Sequence, residues 1–234
     1  MIVRARTPVL VLIPPACCGA GYFRRVRRAL GGRAEIHGLE LPGHGRRYEE
    51  DMLTSAAAAL RDVEERLPTS VDVVYGESLG AYIALALLSR RSDPDTVLVA
   101  ASNSAPSVRD DLDLDGIDSV EGAITRLLEL GGDLPPELVN DRSVAEGFYH
   151  LIHSDLLLSQ GFITMTREAV VDGDLLVLGG EQDVGLGALE AWKGHTRSRC
   201  EVFRIPGPHL LSGNNPHGVA EAIAAVLGED VRNP

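Results

Sequence analysis

This sequence predicts an α/β domain built on a mainly parallel sheet, on the strength of three observations. Six apolar, β-branched runs, at residues 9–13, 36–41, 71–75, 97–101, 175–178 and 200–205, have the near-continuous hydrophobicity of strands buried on both faces. Segments of helical spacing separate most of these runs, and that alternation gives a parallel sheet covered by helices on both sides. Hydrophobic residues make up 44% of the 234, enough for one sizeable core, and the length leaves no room for a second catalytic domain.

Taken in order, the first run is followed by a helical pattern over 21–30 and the second by one over 54–67. The third leads into an alanine-rich helix over 79–90, and the fifth into a helix over 187–194. A last helix opens at Asn214-Asn215-Pro216 and closes near Gly228, with proline in the first turn and glycine near the end. Residues 102–172 break the rhythm, because they carry no strand pattern and are far too long for an ordinary crossover loop. Two helical stretches there, 119–130 and 143–158, hold apolar residues at helical spacing (Ile124, Leu127 and Leu128, then Phe148, Leu151 and Ile152), and a Gly-Gly-Asp-Leu-Pro-Pro joint separates them. The expectation is an inserted helical lid over 106–169 on a core formed by 1–105 and 170–234. An apolar-faced lid over such a sheet suggests an acyl-chain pocket.

A formal net charge of -12 argues against nucleic acid as a partner. The charge is uneven: Arg24, Arg25, Arg27, Arg28, Arg46 and Arg47 gather in the N-terminal part, and Asp110, Asp111, Asp113 and Asp115 gather further on. Three cysteines build no disulfide framework and have no metal-ligand spacing with histidine, so neither a metal nor a cofactor is expected. The longest apolar run near the N-terminus, 8–15, is too short to span a bilayer and makes no convincing signal peptide, so a cytoplasmic protein without membrane contact is expected.

The chemistry concentrates at Gly76-Glu77-Ser78-Leu79-Gly80, a G-x-S-x-G turn between an apolar strand and a helix. A serine hydroxyl is a poor nucleophile unless a base takes its proton, and a sharp strand-to-helix turn lifts it clear of the backbone. Ser78 is the candidate nucleophile, and the amide of Leu79, at the start of the helix, is a candidate oxyanion donor. Among seven histidines, His209 is favoured as base because it follows the last strand in Pro206-Gly207-Pro208-His209. Asp183, after the fifth strand, is the favoured acid, with Glu181 as runner-up; Asp172 and Asp174 start that strand and belong to the wrong end of the sheet. A second oxyanion donor is expected from the loop after the first strand, at the amide of Ala16. His44 is read as a pocket-lining residue, His150 and His153 as a weak metal pair, and His195 and His217 as surface residues at helix termini.

These residues resemble the stand-alone type II thioesterases that accompany polyketide and nonribosomal peptide synthases. The likeness runs through Pro14-Pro15-Ala16, Leu41-Pro42-Gly43-His44-Gly45-Arg46-Arg47, the serine turn, Leu130-Gly131-Gly132 with Leu134-Pro135-Pro136-Glu137, Leu178-Gly179-Gly180-Glu181-Gln182-Asp183, Trp192-Lys193-Gly194-His195-Thr196 and Pro206-Gly207-Pro208-His209-Leu210-Leu211. The resemblance implies an α/β-hydrolase fold, hydrolysis of acyl groups from the phosphopantetheine thiol of a carrier protein, and the same roles for Ser78, Asp183, His209, Ala16 and Leu79. A product-releasing thioesterase or cyclase, or a carboxylesterase, is the alternative on this scaffold, and a noncatalytic carrier-binding protein is disfavoured by the intact trio. Carrier proteins are usually acidic, so Arg24, Arg25, Arg27 and Arg28 are the expected docking residues. A monomer or weak homodimer is expected. The chain departs from the family pattern at Glu77, where histidine is usual, at Cys17 and Cys18, where glycines are usual, and at Pro208. Glu77 is expected to add negative potential beside the serine and to disfavour acidic acyl groups such as malonyl.

Overall fold

The computed structural model describes residues 6–134 and 141–229. Six parallel strands, β1 (Val9–Ile13), β2 (Glu35–Gly38), β3 (Val73–Glu77), β4 (Val97–Ala101), β5 (Leu175–Gly180) and β6 (Cys200–Ile205), form one sheet in the order β2-β1-β3-β4-β5-β6. Side chains alternate between two cores, as the two-residue repeat of a strand requires. Val11, Ile13, Val74, Leu98, Ala100, Leu175 and Val177 face one core, and Leu10, Leu12, Val73, Tyr75, Val99, Ala101, Leu176 and Leu178 face the other.

The helices α1 (Arg24–Leu30), α2 (Ala56–Arg66), α3 (Leu79–Ser89), α4 (Val120–Glu129), α5 (Arg142–Thr166), α6 (Leu211–Asn214) and α7 (Pro216–Glu229) complete the fold. The first core holds α2, α3 and the C-terminal half of α5; the second holds α1 and α7. Helix α3 is buried along nearly its whole length, which its run of alanine and leucine permits. A third cluster, of Ile117, Ala123, Leu127, Ala145, Ile152 and Leu156, joins α4 to the N-terminal half of α5. Ser119 caps α4 by accepting from the Gly122 amide at 3.1 Å, and Asp141 caps α5 by accepting from the amides of Ser143 and Val144 at 2.9 and 3.3 Å.

Several boundaries differ from those the sequence predicts. β3 begins two residues late and runs on through Gly76 and Glu77, which pair with Ala100 and Ala101. β5 runs on through Gly179 and Gly180, paired with Arg204 and Ile205. In both cases the ladder continues across residues that read locally as turn signals. β2 ends at Gly38, three residues short of the predicted end. Helix α5 continues to Thr166 rather than stopping near 158, because Phe162 and Ile163 keep its apolar face against the first core. Residues Leu189–His195 form a 3-10 helix in place of the expected helix over 187–194. The joint Leu134-Pro135-Pro136-Glu137 falls, from Pro135 on, outside the described residues. Among the described residues no helix is long and apolar enough to cross a membrane.

Candidate active site

Parallel strands deliver their following loops to one edge of the sheet, and Ser78, Asp183 and His209 meet there. Ser78 follows the last residue of β3, with its amide donating to Ala101 O at 2.9 Å. Its backbone sits at φ 54 and ψ -119, a strained conformation for a non-glycine residue. Close approach makes the flanking glycines obligatory: a Cβ on Gly76 would lie 2.1 Å from Gly80 O, and one on Gly80 would lie 2.2 Å from Ile13 O.

His209 Nε2 lies 2.9 Å from Ser78 Oγ, and its Nδ1 lies 2.8 Å from Asp183 Oδ2. A carboxylate only accepts, so Nδ1 carries the proton and Nε2 presents its lone pair to the serine hydroxyl, which donates. Asp183 is fixed in turn by the Gly185 amide, 3.2 Å from Oδ1. Both side chains are largely buried, at 12% exposure for His209 and 6% for Asp183, which shields the pair from water. Glu181 is exposed and makes no such contact. Asp172 and Asp174 pair with Arg197 and Arg199 at the opposite end of β5.

The loop after β1 has few free donors. Pro14 and Pro15 have no N–H, Cys18 donates to Pro15 O at 3.3 Å, and Cys17 donates to Asp155 Oδ2 at 2.5 Å. Of residues 14–18, only Ala16 keeps an amide without an acceptor among the described residues. The Leu79 amide, at the first position of α3, is unpaired in the same way. Cys17 sits at φ 61, which costs an L side chain about 1–2 kcal/mol. A hydrogen bond to a charged acceptor contributes about 1.5–3 kcal/mol, so the Asp155 contact offsets that strain.

A cavity of about 270 Å³ opens onto Ser78 and His209. Pro15, Cys17 and Cys18 form one side of it, and Leu127, Leu130, Leu134, Phe148, Ile152 and Leu156, from α4, α5 and the chain between them, form an apolar wall opposite. Gly131, at φ 88 after α4, lies against the His209 imidazole; a Cβ there would be 2.6 Å from His209 Cγ. Nothing in the sequence pointed to that contact, although the Gly-Gly pair marked a turn.

Glu77 has a structural role that the sequence did not show. It is fully buried and shares the second-core face with Tyr75, away from the cavity. Its carboxylate accepts from the hydroxyls of Tyr22 and Tyr75, both at 2.7 Å, and from the Ser212 hydroxyl and amide. Burial pushes its pKa above the usual carboxylate value, while those donors pull the other way. Glu77 therefore ties the serine turn to α6, three residues beyond His209, and its side chain does not line the cavity.

His44 and Asp155 are a second pair the sequence did not bring together. Both are buried, and His44 Nε2 lies 2.9 Å from Asp155 Oδ2 while Nδ1 lies 3.0 Å from Pro42 O. His195, expected at the surface, is buried between Ala169 O and Ser107 Oγ, at 2.8 and 2.9 Å. His153 lies 3.4 Å from Asp118, and no group of three metal-ligating side chains occurs among the described residues. Arg24, Arg25, Arg27 and Arg28 are all exposed on α1; Arg27 donates to Ile36 O at 3.1 Å.

Comparison with known proteins places the chain among thioesterases. The AMB antimetabolite synthetase AmbE of Pseudomonas aeruginosa is 28% identical over 228 residues, which cover 93% of this chain and 10% of AmbE, so the chain spans about a tenth of that relative. The human medium-chain S-acyl fatty acid synthase thioesterase is 24% identical over 86% of this chain and 79% of its own. The crystal structure of ClbQ from the colibactin NRPS/PKS pathway shares the fold, with a TM-score of 0.78 at 15% identity over 97% of this chain and all of ClbQ. The thioesterase domain family matches residues 8–227, and since that span holds both the sheet and the three residues at its edge, the chain belongs to the thioesterase domain family.

Proposed function

We propose that the protein is a serine thioesterase that hydrolyses short acyl groups from the phosphopantetheine arm of carrier proteins, editing stalled polyketide or nonribosomal peptide assembly lines. The hydrogen-bonded line Ser78–His209–Asp183 is the observation that carries this reading. Ser78 attacks the thioester carbonyl as His209 takes its proton, Asp183 stabilises the imidazolium, and the amides of Ala16 and Leu79 hold the oxyanion. His209 then protonates the departing thiol, a good leaving group with a pKa of about 8.5. Water, deprotonated by the same histidine, cleaves the acyl-Ser78 ester to release the free acid.

The pathway reading draws support from ClbQ, which is described as part of an NRPS/PKS pathway, and from AmbE, a synthetase. Residues 106–169 act as the lid, since α4 and α5 supply the apolar wall. A cavity of about 270 Å³ is at the small end for ligand sites and suits a short acyl group better than a mature chain that must fold back to cyclise. Carrier and enzyme meet in the cytoplasm, with the exposed arginines of α1 as docking face.

The test is intact-protein mass spectrometry of a phosphopantetheinyl carrier loaded with acetyl, propionyl, malonyl or a long acyl chain. Wild type should release short acyl groups as free acids, and Ser78→Ala should lose at least about four orders of magnitude of turnover while still binding carrier. Residual Ser78→Ala turnover near wild type would remove the serine mechanism.

A further inference from the structure

We infer that Asp155 is a positioning residue for the oxyanion hole, holding the loop after β1 so that the free amide of Ala16 stays aimed at the reacting carbonyl. The inference rests on the proposed serine mechanism and on the Ala16 amide as donor.

Asp155 reaches that loop from 138 residues away, and its Oδ2 accepts the Cys17 amide at 2.5 Å. This contact sets the plane of the Ala16–Cys17 peptide, directly after the donor. It also holds Cys17 at φ 61, a conformation from which an L residue otherwise relaxes. A loop left to relax would turn its amides to new acceptors, and a donor misplaced by an ångström loses most of its value.

The anchor is itself braced. His44 is bonded at both ring nitrogens, to Pro42 O and to Asp155 Oδ2, so the ring is held from two sides and cannot swing away from Asp155. Its hydrogen bonds to Asp155 and Pro42 hold the His44 pKa above its ordinary value against the effect of burial. The pair is nearly sealed from water, with side-chain exposures of 4% and 1%. Asp155 Oδ1 finds no partner among the described residues, which is an expensive arrangement for a side chain whose only work is packing.

Asp155 does not line the main cavity, whereas Ile152, Leu156 and Ser159 of the same helix do. Helix α5 therefore walls the acyl group with one face and sets the oxyanion donor with another. An acyl group that pushes α5 outward loosens the loop as well, so poor fit is read out in the chemical step.

The two roles separate in steady-state kinetics on a small acyl-N-acetylcysteamine thioester. Asp155→Asn keeps the shape and should lower kcat about tenfold; Asp155→Ala should lower it about a hundredfold, approaching the loss of one oxyanion donor, with KM within about twofold of wild type in both. Asp111→Asn, which breaks a surface ion pair to Arg167 on the same segment, should leave kcat unchanged. Folding is checked by circular dichroism, and if Asp155→Ala does not fold, Asp155→Asn decides alone. A folded variant with wild-type kcat, or a loss carried by KM, overturns the inference while leaving the proposed function intact. A wild type that hydrolyses no thioester removes both.

Discussion

Replacing Glu77 with histidine puts an imidazole among three hydroxyl groups that now share one carboxylate. Tyr22, Tyr75 and Ser212 all donate to Glu77, and a ring cannot accept from all three. Leaving buried hydroxyls unpaired costs about 1–3 kcal/mol each, so Glu77→His should destabilise by about 2–4 kcal/mol and lower the melting temperature by roughly 5–15 °C. Because the side chain faces away from the cavity, the ratio of acetyl to malonyl turnover should not change. A thermal melt and paired carrier assays check this, and a shifted ratio in a protein of wild-type stability would restore the electrostatic role expected from sequence. That Ser78, Asp183 and His209 come together was legible because each follows a strand end and the strands announce themselves. The hydrogen-bonding role of Glu77 was not legible, because its neighbour in sequence is Ser78 while two of the side chains that donate to it, Tyr22 and Ser212, lie 55 and 135 positions away.

At the scale of elements, α4 ends in a contact that matters more than its own packing. Gly131 sits at φ 88 with the His209 ring where a Cβ would go, whereas Gly116, at φ 80 in the same segment, has nothing within 4 Å. Alanine at either position pays the same backbone cost of about 1–2 kcal/mol. Only Gly131→Ala should also displace His209, lowering kcat at least about tenfold. Melting temperatures and kcat for the two variants on one small thioester make the comparison; equal kcat for both would mean the imidazole tolerates the methyl group. Helices and strands were legible wherever hydrophobic period and length agreed. They were misjudged where a ladder runs through glycine, as at Gly76 and Gly179, and where one helix serves two cores, as α5 does with Ile152 in one and Phe162 in the other. The Asp155–Cys17 contact had no sequence signal at all, since a bond across 138 residues leaves no local pattern.

For the whole molecule, a net charge of -12 works against meeting an acidic carrier unless positive charge is concentrated somewhere. The acidic stretch is partly spent within the fold, as Asp111 pairs with Arg167 and Asp113 with Arg126, while the α1 arginines stay exposed. Reversing Arg24 and Arg25 to glutamate should raise KM for an acyl carrier about tenfold at low salt and less at 0.5 M, where the Debye length falls to roughly 4 Å. The small thioester serves as control, and an equal rise in its KM would mean the substitutions act on the site rather than on docking. The arginine cluster was read from composition alone, and the structure places its four members exposed on one helix.

The two thiols beside Ser78 bear on the fate of a captured acyl group. Cys17 and Cys18 line the same cavity, and a thiolate there would be a second nucleophile competing with water for the proposed serine ester, forming an enzyme thioester as the Ser78 oxygen leaves. Burial pushes the Cys18 thiol up to about 12, with the Glu77 and Asp155 charges adding to it, and pushes Cys17 well above its ordinary value too. At pH 7 both thiols therefore stay protonated and weakly nucleophilic. In the proposed mechanism an acyl group on Ser78 is thereby kept from these sulfur atoms, and water is left as its acceptor.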